Sequence, residues 1–276
     1  MLKGRDELKA LYVKIAVAVA LFVSFVVPMN VFAAQDELPP LRGGSEEDVR
    51  DPDPVTFTQL KQSFPDSFYY MGDPNEKQVA LTFDDGPDPR HTSQILEVLD
   101  KYDVLGTFFV LGARAEAYPE LLQEIDEAGH DIGSHTFWHP NLTDDDDEED
   151  LVARLDWELT QTERVVEESV GYKPRLFRAP YGSLNIELME HLTEQGNIAV
   201  GWNADSQDWQ QIPSEEIVDI LRSEISPGSI VLMHDGGNWD QTITSADALD
   251  TLIPELLADG YEFVTVSDML DVDRAL

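Results

Sequence analysis

The chain has 276 residues, with 18 basic and 55 acidic side chains and a formal net charge of −37. A surface this acidic repels a phosphate backbone, which argues against a nucleic-acid partner. There is no cysteine, so thiolate zinc clusters, disulfide scaffolds and cysteine nucleophiles are excluded, and any metal must be held by His and carboxylate.

Lys3, Arg5, Lys9 and Lys14 precede an apolar run from Ile15 to Val27 broken only by Ser24, followed by Pro28 and then Val31-Phe32-Ala33-Ala34. A basic head, a short apolar middle and small residues at Val31 and Ala33 read as a secretory signal over residues 1–33, cleaved after Ala33. The rival is an uncleaved anchor, but the apolar stretch is short for a span of about 20 residues. Residues 34–63 open with a Pro-, Gly- and acid-rich stretch without apolar periodicity and read as a linker. The globular part begins near Phe57 or Phe64, and 64–276 is taken as one domain.

From there, short β-type runs alternate with amphipathic helices. Val79–Phe83 reads as a buried strand and Thr92–Tyr102 as a helix with Ile95, Leu96, Val98 and Leu99 on one face. Thr107–Val110 is a strand, Pro119–Ala128 a helix closed by Gly129, and Asp131–Ser134 a strand. Seven consecutive acids, Asp144–Asp150, read as the acidic first turn of a long helix capped by Thr143 or Asp144. Further strands are expected at Leu176–Arg178, Ile198–Trp202, Ser229–Met233 and Phe263–Val266, with helices at Asn185–Gln195, after a Ser214 cap, and at Ala246–Ala258. The alternation implies an α/β fold with a parallel sheet. An open doubly wound sheet and a closed barrel both fit it. No Gly-rich phosphate loop follows a strand, which weakens a nucleotide-binding reading.

The polar residues cluster just after strands, where α/β barrels carry their chemistry. Asp84-Asp85-Gly86-Pro87 follows the first predicted strand; successive side chains point to opposite faces, so the two acids are expected to have different roles. His135 and His139 are spaced i, i+4, which on a helical turn presents both imidazoles to one side. Two His and one Asp make a three-ligand site with room for water and substrate, as in a catalytic metal centre. Arg178-Ala179-Pro180-Tyr181, Asp205-Ser206-Gln207-Asp208-Trp209 and His234-Asp235-Gly236-Gly237 close three further strands. His91, His130 and His191 read as structural.

In order, Thr82–Pro87, His135–His139, Arg178–Tyr181, Asp205–Trp209 and Leu232-Met233-His234 resemble the five motifs of the polysaccharide deacetylases with a NodB homology domain (carbohydrate esterase family 4). The resemblance covers roughly Phe68 to Leu270. It implies a distorted (β/α) barrel and a hydrolase that removes N-acetyl, sometimes O-acetyl, groups from polysaccharides with one divalent metal, commonly zinc, with cobalt or manganese as alternatives. It assigns Asp85, His135 and His139 as metal ligands, Asp84 as general base and His234 as general acid. Arg178 matches the residue that orients the base, and Asp205 the one that tunes the catalytic His. The Tyr181 N–H would hold the oxyanion, and Trp209 and Leu232 would wall the acetyl pocket. Ala179 stands where many relatives have Pro.

The expected substrate is a cell-wall or extracellular glycan: peptidoglycan first, chitin or chitooligosaccharide next, acetylated xylan third. Competing readings are a non-catalytic glycan-binding module on the same barrel and a metal-dependent phosphoesterase. The latter would want several basic residues, and Arg178 is the one present in the five motifs. A secreted or cell-surface monomer is expected, touching a membrane only through its N-terminal segment. The dense acidity suits a salt-rich or alkaline milieu. If so, the thermal midpoint of unfolding rises steeply with added sodium chloride; indifference to salt in a thermal melt would refute the habitat reading.

Overall fold

A computed structural model describes residues 55–143, 150–238 and 241–276. The predicted signal, the linker up to residue 54 and most of the acidic run lie outside the described residues.

In chain order the elements are α1 (Phe57–Ser63), β1 (Phe68–Tyr69), β2 (Gln78–Asp84), α2 (Thr92–Tyr102), β3 (Thr107–Val110), α3 (Gly112–Ala117), α4 (Pro119–Glu127), β4 (Asp131–Ser134), α5 (Leu151–Val170), β5 (Leu176–Phe177), α6 (Ile186–Gln195), β6 (Ile198–Val200), β7 (Ala204–Asp205), α7 (Ser214–Glu224), β8 (Ser229–His234), α8 (Ser245–Ala258), β9 (Glu262–Phe263) and α9 (Val266–Leu270). The nine strands form one sheet in the order β1-β6-β5-β4-β3-β2-β8-β7, with β9 paired to the start of β2. Every ladder is parallel.

The sheet curls until its two ends nearly meet. Gly201 N–H donates to Tyr69 at one end, and Asn203 N–H donates to Ile230 of β8 near the other. Gly201 and Asn203 are at most roughly 7 Å apart, so a two-residue span of chain bridges β1 and β8. One antiparallel bridge, Met71 to Ser229, spans the seam where a ladder would close a regular barrel. The fold is therefore a distorted (β/α) barrel, curled but incompletely closed.

Strand alternation separates the two faces. Val79, Leu81 and Phe83 pack outward with Leu99, Ile125, Leu221 and Leu252. Ala80 points inward with Phe109, Leu176, Ile198, Val200, Ile230 and Val266, the last supplied by α9. Thr82 and Asp84 continue the inward row of β2, and the register sets Asp84 beside His234 of β8. A buried hydrophobic interior thus turns polar at the C-terminal ends of its strands.

Several boundaries differ from the sequence reading. Residues 57–63, assigned to the linker, form α1, which has a Thr56 capping box and a fully buried Leu60; a seven-residue helix with one buried side chain leaves no periodic trace. The cap of α5 is Asp150, whose carboxylate accepts from the N–H groups of Val152 and Ala153. The expected strand at 198–202 ends at Val200, and a second short strand, β7, follows at 204–205 towards the other end of the sheet, because the chain crosses the seam between them. Ser214 is the first helical residue after Pro213 and makes no cap bond, and Val266 opens a helix, so the last strand ends at Phe263.

One inward contact carries upward to the polar mouth. A Cβ on Gly133 would lie 2.5 Å from two ring carbons of Phe109, and that ring lies 4.2 Å beneath the Arg178 guanidinium. Gly133→Ala is expected to destabilise the protein by about 1–3 kcal/mol through overpacking, read as a lower denaturation midpoint in urea.

Candidate active site

The strand ends deliver five ionisable side chains to one buried mouth. Asp84, Asp85, His135, His139 and His234 are each at most 4% exposed. Asp84 is the last residue of β2, whereas Asp85 turns off the strand with φ +73°, so strand alternation does not send them to opposite faces: Asp84 Oδ2 and Asp85 Oδ1 lie 3.8 Å and 3.6 Å from the same His135 Nε2.

His135 and His139 do converge, but not on a helical turn. Thr136 and His139 adopt left-handed backbone, with φ of 70° and 61°. The loop takes its hydrogen bonds from elsewhere: Phe137 and Trp138 N–H both donate to Oε2 of Glu158 on α5, and His139 N–H donates to Thr136 Oγ1. A helical turn is replaced by a loop built around a buried carboxylate from a distant helix.

His139 Nε2 lies 3.3 Å, and His135 Nε2 3.6 Å, from Asp85 Oδ1. His135 Nδ1 is 2.8 Å from the Arg178 carbonyl. A carbonyl only accepts, so Nδ1 carries the proton and Nε2 presents its lone pair. His139 Nδ1 meets the Tyr181 hydroxyl at 3.1 Å. Burial lowers the pKa of His135 to about 4 and of His139 to about 3, which leaves both imidazoles neutral at neutral pH. Burial also pushes the Asp85 carboxyl above its ordinary value, against the pull of His135, His234 and Arg114.

Asp85 Oδ1 and His139 Nε2 are buried without a hydrogen-bond partner. Unpaired buried polar atoms are rare and costly. One ligand atom from each of Asp85, His135 and His139 falls within 4.8 Å of the others. Two neutral imidazole nitrogens and one carboxylate oxygen match the donor set of a zinc site with an open position, so the residues fit a divalent cation.

Two ion pairs flank this trio. On one side, Arg178 donates to Asp84 Oδ1 at 2.8 Å and to Thr82 Oγ1 at 2.7 Å, and it is anchored on the carbonyls of Val200 and Gly201. Asp84 Oδ2, the other oxygen, lies 3.8 Å from His135 Nε2. On the other side, His234 Nδ1 lies 2.7 Å from Asp208 Oδ1. Asp208 Oδ2 accepts from the His234 N–H and from the Ser245 hydroxyl.

That contact corrects the sequence reading, which gave Asp205 as the partner of His234. Asp205 sits on the edge strand β7, where its Oδ1 accepts from the Gln207 N–H. A left-handed turn at Gln207 brings the next acid, Asp208, under the imidazole. Both acids belong to one motif, and only the turn between them decides which one reaches.

Tyr181 occupies a short 3-10 turn with φ 60°, and its ring packs edge-on against His139 at 4.7 Å. Leu232 is buried in the inner row of β8, in register with Thr82 and with Asp205. Trp209 is half-buried on the 3-10 turn that carries Asp208. The other histidines stand apart: His130 Nδ1 accepts from the Gly106 N–H at the opposite end of the sheet, His91 precedes α2, and His191 faces Asp156 at 3.3 Å.

Burial alone would lower His234, but the Asp208 carboxylate outweighs it and holds the imidazole well above its ordinary value. A raised folded-state pKa contributes stability that is complete below the unfolded value near 6.5 and is lost as pH rises through the folded one. Asp208→Asn should therefore move the His234 titration to lower pH and remove that stabilisation, whereas Asp205→Asn should move it far less. Equal shifts for the two variants in an NMR titration of the His234 ring would contradict the assignment.

Residues 71–200 match the family model described as polysaccharide deacetylase. A peptidoglycan-N-acetylglucosamine deacetylase of Bacillus cereus is 35% identical over 210 residues, 75% of this chain and 74% of that protein. The peptidoglycan-N-acetylmuramic acid deacetylase PdaC of Bacillus subtilis is 40% identical over 202 residues, 73% of this chain and 40% of that longer protein. Among solved structures, the Bc1960 peptidoglycan N-acetylglucosamine deacetylase superposes with a TM-score of 0.73 at 34% identity, covering 79% of this chain and all of that one.

Proposed function

The chain belongs to the polysaccharide deacetylase family, and from that premise we propose that it is a metal-dependent hydrolase removing N-acetyl groups from N-acetylglucosamine units of a wall or extracellular glycan. The observation that carries this reading is a buried trio of two neutral imidazoles and one carboxylate, two of whose ligand atoms are unpaired, beside the buried Asp84–Arg178 and Asp208–His234 pairs. The fold alone would not suffice, because one fold serves many functions.

Asp85, His135 and His139 would hold the cation, with zinc preferred by the donor set. When bound, it lowers the pKa of a water towards ~7 and polarises an acyl oxygen. Asp84 acts as general base: Arg178 binds one of its oxygens and leaves the other, Oδ2, on the side of the ligand trio to accept a proton from the attacking water. The new bond joins that water oxygen to the acetyl carbon. The Tyr181 N–H steadies the oxygen that gains charge. As the C–N bond breaks, His234 donates its proton to the departing nitrogen, since an amine leaves poorly as an anion. Asp208 keeps that proton in place beforehand and stabilises the imidazolium. Leu232 and Trp209 wall a pocket for a methyl group.

A phosphoesterase reading is disfavoured because Arg178 is committed to Asp84, Thr82 and two carbonyls. Peptidoglycan is the first-choice polymer and chitooligosaccharide the second, with acetylated xylan as an ester alternative. Residues 1–33 support export to the cell surface or beyond.

Metal-stripped protein should release no acetate from peptidoglycan fragments or chitooligosaccharide, and zinc, cobalt or manganese should restore release. Asp84→Asn should lower the rate about 10²–10⁴-fold, as expected for loss of a general base. Full activity in the stripped protein or in Asp84→Asn would defeat the mechanism. Binding of chitooligosaccharide with no acetate released under any metal would favour the glycan-binding module instead.

A further inference from the structure

We propose that Arg114 is a positioning residue that holds the metal ligand Asp85 in its left-handed conformation and ties the loops of the candidate site into one unit. The inference rests on the reading of Asp85, His135 and His139 as a cation site and extends it to a residue outside the five motifs.

Arg114 lies on the short helix α3 and is fully buried. Its Nη1 donates to the carbonyl of Asp85 and its Nη2 to the carbonyl of Gly237, each at 2.6 Å. The first acceptor belongs to the turn that carries the carboxylate ligand. The second belongs to the loop that leaves β8 three residues after His234. A single planar fork thus spans the gap between them, a geometry lysine cannot reproduce. The packing is tight enough that a Cβ on Gly236 would collide with both the Asp85 carbonyl oxygen and Arg114 Nη1.

The backbone around Arg114 adds the remaining ties. Leu111 N–H donates to the Gly86 carbonyl at 2.9 Å, Gly112 N–H to that of Thr136 at 3.0 Å and Ala113 N–H to that of Phe137 at 3.1 Å. Four consecutive residues therefore bond to the Asp85 turn, the histidine loop and the His234 loop. The loops themselves are conformationally demanding, since Asp85, Thr136 and His139 all have positive φ without being glycine. Such conformations persist where the surroundings over-determine them; the segment 111–114 bonds to Asp85, Gly86, Thr136 and Phe137, beside the Glu158 contacts to the histidine loop. Removing the guanidinium takes the donor from two carbonyls in a buried site and frees Asp85 to relax towards an ordinary backbone, which carries its carboxylate away from the two imidazoles.

The test uses the full chain and zinc itself. Zinc affinity of wild type, Arg114→Met, Arg114→Lys and Asp85→Asn is measured by competition with a chromophoric chelator, and the visible spectrum of the cobalt-substituted protein reports ligand geometry. Far-UV circular dichroism of each apo protein establishes folding. Wild type should bind one zinc and Asp85→Asn should lose it. Folded Arg114→Met should bind about 10–100-fold more weakly, the usual effect of losing a group that orients a ligand, with an altered cobalt spectrum. Arg114→Lys should fall between them. Wild-type affinity and spectrum in both Arg114 variants would overturn the proposal while leaving the metal site standing. Loss of the apo fold in both would overturn it by making Arg114 a folding residue. A wild type without zinc affinity would remove the cation reading and this proposal together.

Discussion

Two adjacent carboxylates sit buried at the end of one strand, and the architecture around them exists to make that tolerable. An ionised carboxylate taken out of water is costly unless paired. Asp84 is paired with Arg178, whose guanidinium is itself held by Thr82, two carbonyls and the face of Phe109. Asp85 has the opposite arrangement. Its nearest neighbours are two imidazoles that burial keeps neutral, and its Oδ1 has no hydrogen-bond donor. Asp84 is charge-paired within the protein; Asp85 keeps an unpaired oxygen beside two imidazoles, the arrangement that the proposed cation would neutralise. The proposed division of labour between base and ligand follows from that difference in environment, not from the residue type.

The parallel register makes the arrangement possible. Asp84 and His234 are direct partners on β2 and β8, so the proposed base and acid stand on neighbouring strands at the same height. The trio of ligand atoms comes from the turn after β2 and the loop after β4. The strand between them, β3, contributes no side chain to the chemistry. It contributes Phe109, which fills the interior below Arg178, and the segment 111–114 that bonds to the loops on either side.

Much of this was legible in the sequence because it follows from local pattern. The continuous apolar run at 79–83 reads as a buried strand, Thr92–Tyr102 as an amphipathic helix, and the acids and histidines stand immediately after strands, where a barrel gathers them. What was not legible depends on turns and on distant contacts. Nothing in Asp205-Ser206-Gln207-Asp208 says which acid reaches His234, because the answer lies in the positive φ of Gln207. The i, i+4 spacing of His135 and His139 suggested a helix; the loop adopts another shape because Glu158, 19 residues beyond His139 in sequence, supplies the acceptor that a helix would have found within itself. Arg114 sits in an Ala- and Gly-rich stretch between the predicted strand at 107–110 and the predicted helix at 119–128, to which the sequence reading assigns no element, and its proposed role rests on three loops that meet there.

The acidity of the chain and the chemistry of the site obey different electrostatic rules. Surface pairs such as Arg222 with Glu255 and Arg164 with Glu116 are partly exposed, and salt of about 0.15 M screens their field beyond roughly 8 Å. The Asp84–Arg178 and Asp208–His234 pairs are buried and are screened far less. High salt can therefore relax repulsion among the surface carboxylates and let the chain approach an anionic wall polymer without weakening the pairs that hold the base and the acid. An acidic exterior is compatible with the proposed wall-glycan substrate because the paired charges of the site are buried: what salt screens is the approach, and not the pairs beneath it.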